Sequence, residues 1–179
     1  MFDGVGRRRN ETEGSMFNLG SNSLNGNERD CLFRNNGDGT FTDVGYVDNA
    51  DRVEDGRGVV IFDYDQDGRA DIALRNYKQP AQLLHNVGSG GHWLELKLIG
   101  TRSNRDAVGA HVTLTGDGVQ QMREVHAGSA YQSGSSLIQH FGLGPATSVE
   151  ALHIRWPSGA ESTLTDVAAN QLLVVTEPR

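Results

Sequence analysis

Four aspartates fall within nine positions of the stretch IFDYDQDGRADIAL: Asp63, Asp65, Asp67 and Asp71. Carboxylates this close repel one another, and apolar runs flank them, VVIF before and IAL after. Either a cation sits among them or the loop is fully solvated. The spacing is D-x-D-x-D-G-x-x-D. As such a loop wraps, side chains at its first, third and fifth positions turn toward one point, and Gly68 permits the sharp backbone turn. The carbonyl of Arg69 then faces inward, and Asp71 closes the cage. Hard oxygen donors in this number suit Ca²⁺, which takes roughly 6–8 of them at about 2.3–2.6 Å. Mg²⁺ demands stricter octahedral geometry and keeps more of its water. The loop holds no His or Cys, which disfavours zinc and copper. An EF-hand would place Glu where Leu74 stands, and the flanking runs are strand-like, not helical. The expectation is a calcium-binding loop within a β-hairpin, ligated by the side chains of Asp63, Asp65, Asp67 and Asp71 and the carbonyl of Arg69.

Other groups of reactive residues read more plainly. Asp48, Asp51, Glu54 and Asp55 form a second acidic cluster with no ligand spacing, so a solvated loop is expected. His126 and His140 are candidates to meet near Tyr131 as a metal or acid–base pair, but no Asp or Cys at ligand spacing joins them. The serines of GSAYQSGSS lack the strand–turn–helix setting of a nucleophile elbow. Trp93 and Trp156 suit packing between strands, with sugar stacking as the alternative. Cys31 is the sole cysteine, so it forms no internal disulfide, and a buried inert thiol is expected. Arg7, Arg8 and Arg9 read as a solvated end.

The chain that must position the acidic loop has 179 residues and a formal net charge of −7, which argues against a nucleic-acid partner. Twelve of its 23 acidic residues lie between Glu28 and Asp71, against five arginines, a local field suited to cations. Gly is abundant at 23 and Pro scarce at 4, the mark of many tight turns and short strands. No apolar run approaches the roughly 18–20 residues of a membrane span. The opening MFDGVGRRRN has arginines with no apolar core after them, so no signal peptide is visible.

Residues 1–29, rich in Asn, Gly and Ser, read as an irregular arm with a short strand near Met16–Leu19. CLFRNNGDGTFTDV holds a hairpin signal at its Asn-Gly and Asp-Gly pairs. GVVIFD and DIALRNY read as strands. Leu32, Asn35, Gly37 and Gly39 recur as Leu83, Asn86, Gly88 and Gly90 at a constant offset of 51 residues. That offset suggests a repeat of propeller-blade length. From His92 onward the pattern is strand and turn throughout: Leu94, Leu96 and Leu98 alternate with polar positions, and so do Leu152, Ile154 and Trp156. Leu137 and Phe141 are expected on one side of a strand, and one turn at Asp166–Asn170 is a helical candidate. Six or seven short strands in this part fit a β-sandwich or small barrel. The expected division is an arm at 1–29, a repeat segment at 30–90 and a sandwich domain at 91–179.

GVVIFDYDQDGRADIAL resembles the FG-GAP/VCBS repeat, the calcium-loop blade motif of integrin-type β-propellers, and LFRNNGDGTFTDV is similar to the end of a preceding repeat. The stretch from His92 to Val175 resembles the ASPIC/UnbV domain, most specifically in GTRSNRDAVGA, HFGLG and RWPSG. This pairing is similar to the C-terminal part of the cartilage acidic protein-like family. The resemblance implies an all-β chain in which a propeller-blade-like calcium-loop segment packs on a C-terminal β-sandwich. It also implies calcium binding and an extracellular or periplasmic setting. With about one and a half repeats, the chain cannot close a propeller of roughly four to eight blades. The expected function is a non-enzymatic calcium-binding β module for structural or binding interactions. Its partner would be a protein or glycan, and it would act as a homo-oligomer or as part of a longer repeat protein. The alternatives are an enzyme or accessory subunit of a biosynthetic pathway, with a pocket between the two β segments, and a glycan-binding adhesin module. A sheet left open would need its edges covered, by the N-terminal arm or by a second copy.

Overall fold

The computed structural model describes residues 28–179. The strand expected near Met16–Leu19, and all of the expected arm except Glu28 and Arg29, lie outside the described residues. Those residues contain twelve strands and no helix. They form two compact units, one of residues 28–55 and 77–79, the other of residues 56–76 and 80–179.

The first unit holds the hairpin of β1 (Phe33–Asn35) and β2 (Phe41–Asp43). Its turn is set by side chains. Asn35 Oδ1 accepts the Gly37 N–H at 2.8 Å, and Asp38 Oδ1 accepts the Thr40 N–H at 2.9 Å. Both competing bonds favour a turn over a continuing strand. Phe33 and Phe41 stay more than half exposed. Cys31 is exposed too, contrary to the expected burial, because the short strands around it build no covered face. The hydrogen bond that the thiol donates to the Asp43 carboxylate, together with that carboxylate's charge, pushes the thiol up. Asp55, expected in a solvated loop, is buried; its N–H bonds Gln79 and its carbonyl accepts the Tyr77 N–H.

The second unit opens with a three-stranded antiparallel sheet, β3 (Gly56–Phe62), β4 (Asp71–Asn76) and β5 (Gln82–Leu84), in that order. Seven strands follow: β6 (His92–Ile99), β7 (His111–Gly116), β8 (Val119–Glu124), β9 (Gln139–Gly144), β10 (Ser148–Arg155), β11 (Glu161–Ala168) and β12 (Gln171–Thr176). They pair as β11-β10-β7-β8 and β12-β6-β9. The inner faces of these two sheets make one core, with Leu94, Leu96, Val112, Phe141, Val149, Leu152 and Ile154 at 0% exposure. Each such side chain contributes roughly 1.5–3 kcal/mol of burial. The period-2 pattern of HWLELKLI and EALHIRW sets these faces. Trp156 joins the core with its indole N–H on Ser162 Oγ at 2.9 Å.

Two local expectations fail. Leu137 lies outside β9 and is 38% exposed, so of the two Phe141 alone faces the core. Asp166–Asn170 is not helical: β11 runs to Ala168, held by Val149↔Val167 and Ser148↔Ala168 pairing, and Asn170 turns the chain at φ 59°.

The edge of β3 is covered from the sandwich. Ser133 Oγ accepts the Val59 N–H and Ser135 Oγ the Ile61 N–H, both at 3.3 Å, while Ser136 N–H donates to the Ile61 carbonyl at 3.4 Å. A serine strap thus satisfies backbone groups that would otherwise template pairing. At the other end of the unit, Glu177 follows β12 and is 2% exposed. Its Oε2 accepts the backbone N–H groups of Thr101, Arg102 and Ser103 at 2.8, 2.8 and 2.7 Å, and its Oε1 accepts the hydroxyls of Ser103 and Ser158. Burial alone would raise this carboxyl. The hydrogen bonds from Ser158, then Ser103 and Thr101, outweigh burial and hold it well below the usual carboxylate range.

Candidate metal centre

The acidic loop joins β3 to β4, whose register places Phe62 opposite Asp71. Two residues in the left-handed region bend it, Gln66 at φ 61° and Gly68 at φ 86°. The carboxylates are fixed by the loop's own backbone. Asp63 accepts the Asp67 N–H at 3.2 Å and the Gly68 N–H at 2.7 Å. Asp71, 1% exposed, accepts the Tyr64 N–H at 3.0 Å and the Asn86 N–H at 2.8 Å. Asn86 also accepts the Gly88 N–H through Oδ1 at 3.1 Å, the same bond that Asn35 makes to Gly37 one repeat earlier.

One carboxylate oxygen each from Asp63, Asp65 and Asp71 lies within 4.8 Å of the others. This donor set, all carboxylate oxygen and anchored at the buried Asp71, fits a hard divalent cation. Asp67 falls in a second such group, with Asp65 and His85, whose ligand atoms also lie within 4.8 Å of one another; its Oδ1 accepts the Arg69 N–H at 2.8 Å and its Oδ2 pairs with the Arg69 guanidinium. The Arg69 Nε–H also donates to the Asn86 carbonyl at 2.7 Å. Asp65 is common to both groups, and Asp67 also has an internal counter-ion in Arg69.

Four residues near the loop carried no ligand spacing in the sequence. His85 Nε2 lies 3.3 Å from Asp65 Oδ2, and its ring meets Tyr64 edge-on at 5.1 Å. His140 Nε2–H donates to the Gly68 carbonyl at 2.8 Å. The Trp93 indole packs so closely on Gly68 that an added Cβ would lie 1.9 Å from its Nε1. Glu95 stands opposite His140 in the β6–β9 register. Burial, then the Asp63 charge, pushes its carboxyl up, while His140 opposes the shift. The outer face of β6 and β9 thus seats the acidic loop. The candidate histidines His126 and His140 have different partners. His126 Nδ1 lies 3.8 Å from Glu124, His140 serves the loop, and Tyr131 is 66% exposed.

No helix among the described residues is long and apolar enough to cross a membrane. Residues 20–74 match the FG-GAP-like repeat, and residues 100–179 match the family described as ASPIC and UnbV. Cartilage acidic protein 1 of Mus musculus is 32% identical over 151 residues, 80% of this chain and 23% of that protein. Cartilage acidic protein 1 of Xenopus tropicalis is 38% identical over 68 residues, 37% of this chain and 10% of that protein. The chain thus spans less than a quarter of the length of the curated relatives it matches. Among solved structures, the major pilin subunit of Bacillus cereus aligns with 87% of this chain and 61% of its own at 11% identity and a TM-score of 0.26. The chain thus carries a match to the FG-GAP-like repeat followed by a match to the ASPIC and UnbV family, and in this order it resembles the cartilage acidic protein-like family.

Proposed function

We propose that the chain is a calcium-stabilised, non-enzymatic β module of an extracellular or periplasmic protein that works by binding a protein or glycan partner. The carrying observation is the convergence of Asp63, Asp65 and Asp71 oxygens within 4.8 Å on a buried anchor. In this reading Asp67 leaves Arg69 to join the set, and the Arg69 carbonyl completes it. A bound divalent cation supplies positive charge that turns carboxylate repulsion into attraction and clamps β3 against β4. The division into an arm at 1–29, a repeat segment at 30–90 and a sandwich domain at 91–179 belongs to the same proposal, as does the part the chain plays in a homo-oligomer or a longer repeat protein. His126 and His140, which acid–base chemistry would need together, bind Glu124 and the Gly68 carbonyl instead.

Extracellular calcium modules bind at about 10⁻⁴–10⁻³ M, which suits a permanent ion outside the cell. If only the folded chain binds, calcium at about a hundred times Kd adds roughly 2.7 kcal/mol. Protein shown to be metal-free is expected to melt at a higher temperature in calcium than in chelator. Asp65→Ala removes most of that increment, whereas Asp51→Ala, which breaks the Arg29 ion pair in the other unit, leaves the increment in place. Equal melting temperatures in calcium and in chelator reject the reading.

A further inference from the structure

Beside the acidic loop lies an open cleft of about 400 Å³, lined among others by Asp67, Gly68, Arg69, His92, Trp93 and Asn170. That volume falls within the roughly 300–1,000 Å³ of small-molecule sites. Its shape is fixed by close backbone packing. Gly68 abuts the Trp93 ring, and a Cβ on Gly91 would lie 2.4 Å from the Gly144 carbonyl.

The polar groups that line it are already partly committed, and what they leave over has one character. Asn170 spends both ends of its amide, donating from Nδ2 to His92 Nδ1 at 2.9 Å and accepting the Trp93 N–H on Oδ1 at 3.3 Å. That bond fixes the His92 tautomer with its proton on Nε2, which is left to a ligand. Arg69 donates Nε–H to Asn86 and pairs one terminal nitrogen with Asp67, leaving its other terminal nitrogen. The Trp93 indole N–H has no acceptor among the described residues. The uncommitted side-chain groups of Arg69, His92 and Trp93 are therefore all donors, set beside an aromatic ring. The only carboxylate in the set, Asp67, is the one the metal reading withdraws. Once Asp67 turns to a cation, the Arg69 guanidinium faces the cleft without its counter-ion.

We propose that this cleft binds an oxyanion-bearing sugar, with the sugar ring against the Trp93 indole and the anionic group on Arg69 and His92 Nε2. The inference rests on the calcium reading in one respect, the release of Arg69 from Asp67. Arg is suited to this task because its planar fork matches carboxylate and sulfate oxygens.

Titration calorimetry on the whole chain in millimolar calcium tests it, with a galacturonate oligomer, a sulfated oligosaccharide and a neutral glucose oligomer of equal length. The acidic oligomers are expected to bind and the neutral one not. Preference between the two acidic probes identifies carboxylate or sulfate as the anion. Chelator weakens the binding. Arg69→Gln lowers acidic-sugar affinity by about tenfold or more, while its calcium affinity rises because Asp67 loses a competitor. Should that variant fail to fold, His92→Ala gives the same loss. Binding of the neutral oligomer with equal affinity, or Arg69→Gln binding like the wild type, overturns the proposal. Heat from calcium with none from any acidic oligomer sinks this inference and leaves the metal reading standing. Arg69-dependent sugar binding without calcium heat does the reverse.

Discussion

The β3-β4-β5 sheet and the sandwich share one pattern of alternating apolar residues, yet they end in different states. In the sandwich, Leu94 on β6 and Leu152 on β10 are fully buried, because each sheet supplies a wall for the other. In the three-stranded sheet, Val59, Ile61 and Leu83 remain 36%, 50% and 47% exposed. An alternating strand is a promise of one buried face, and only a second layer redeems it. Three strands with half-open faces are marginal alone. This sheet leans on other devices: the serine strap on β3, the fit of Gly68 on Trp93, and the cation proposed for its loop.

The contrast breaks most sharply by truncation. Leu152→Ala is expected to cost about 2–5 kcal/mol, and Ile61→Ala less than about 1, in urea unfolding. Equal costs would mean that the exposed face of β3 is covered in solution. Next in size is Gly68→Ala, which strains a φ of 86° and drives a methyl into the Trp93 ring. It should lose more than about 1 kcal/mol and alter the near-ultraviolet circular dichroism of tryptophan. Gly118→Ala separates the two causes, since Gly118 also has a positive φ, of 71°, but open space around it. If both variants lose the same stability, the Trp93 contact contributes nothing to holding the sheet. The smallest effect is set by pH. Glu177 titrates in the folded chain below its ordinary value of 4.5. Its contribution is therefore full above that value and is lost as pH falls toward the folded one. Glu177→Gln should lower the melting temperature at pH 7 by several degrees, and the gap to wild type should narrow on acidification toward about pH 3. A gap independent of pH would show that the carboxylate charge is not what the nest holds.

The same contrast marks what the sequence could disclose. Strands with a strict period were legible. The acidic loop was legible because its ligand spacing is local. The residues that seat it were not. His140 meets Gly68 across 72 positions, the serines meet β3 across 74, and Glu177 meets Thr101 across 76. No short-range spacing encodes such meetings. His85 was within reach, since its neighbour Asn86 belongs to the repeated Asn-x-Gly turn, but nothing local says that its imidazole comes to Asp65. Cys31 was misread because burial was inferred from residue type where the two-stranded hairpin offers no cover.

The parallel pairing of β12 with β6 sets an order of events during synthesis. Leu94 finds Gln171, and Ile99 finds Thr176, only after the intervening 76 residues have been made. While the ribosome is still translating that stretch, one edge of β6 has no partner, and the nest at Thr101–Ser103 lacks the carboxylate that fills it. Such long-range parallel pairing is slow and leaves sticky edges bare in the meantime. The sandwich therefore closes from its last strand, and a nascent chain stalled before Gln171 would present to chaperones an open sheet instead of a nearly finished fold.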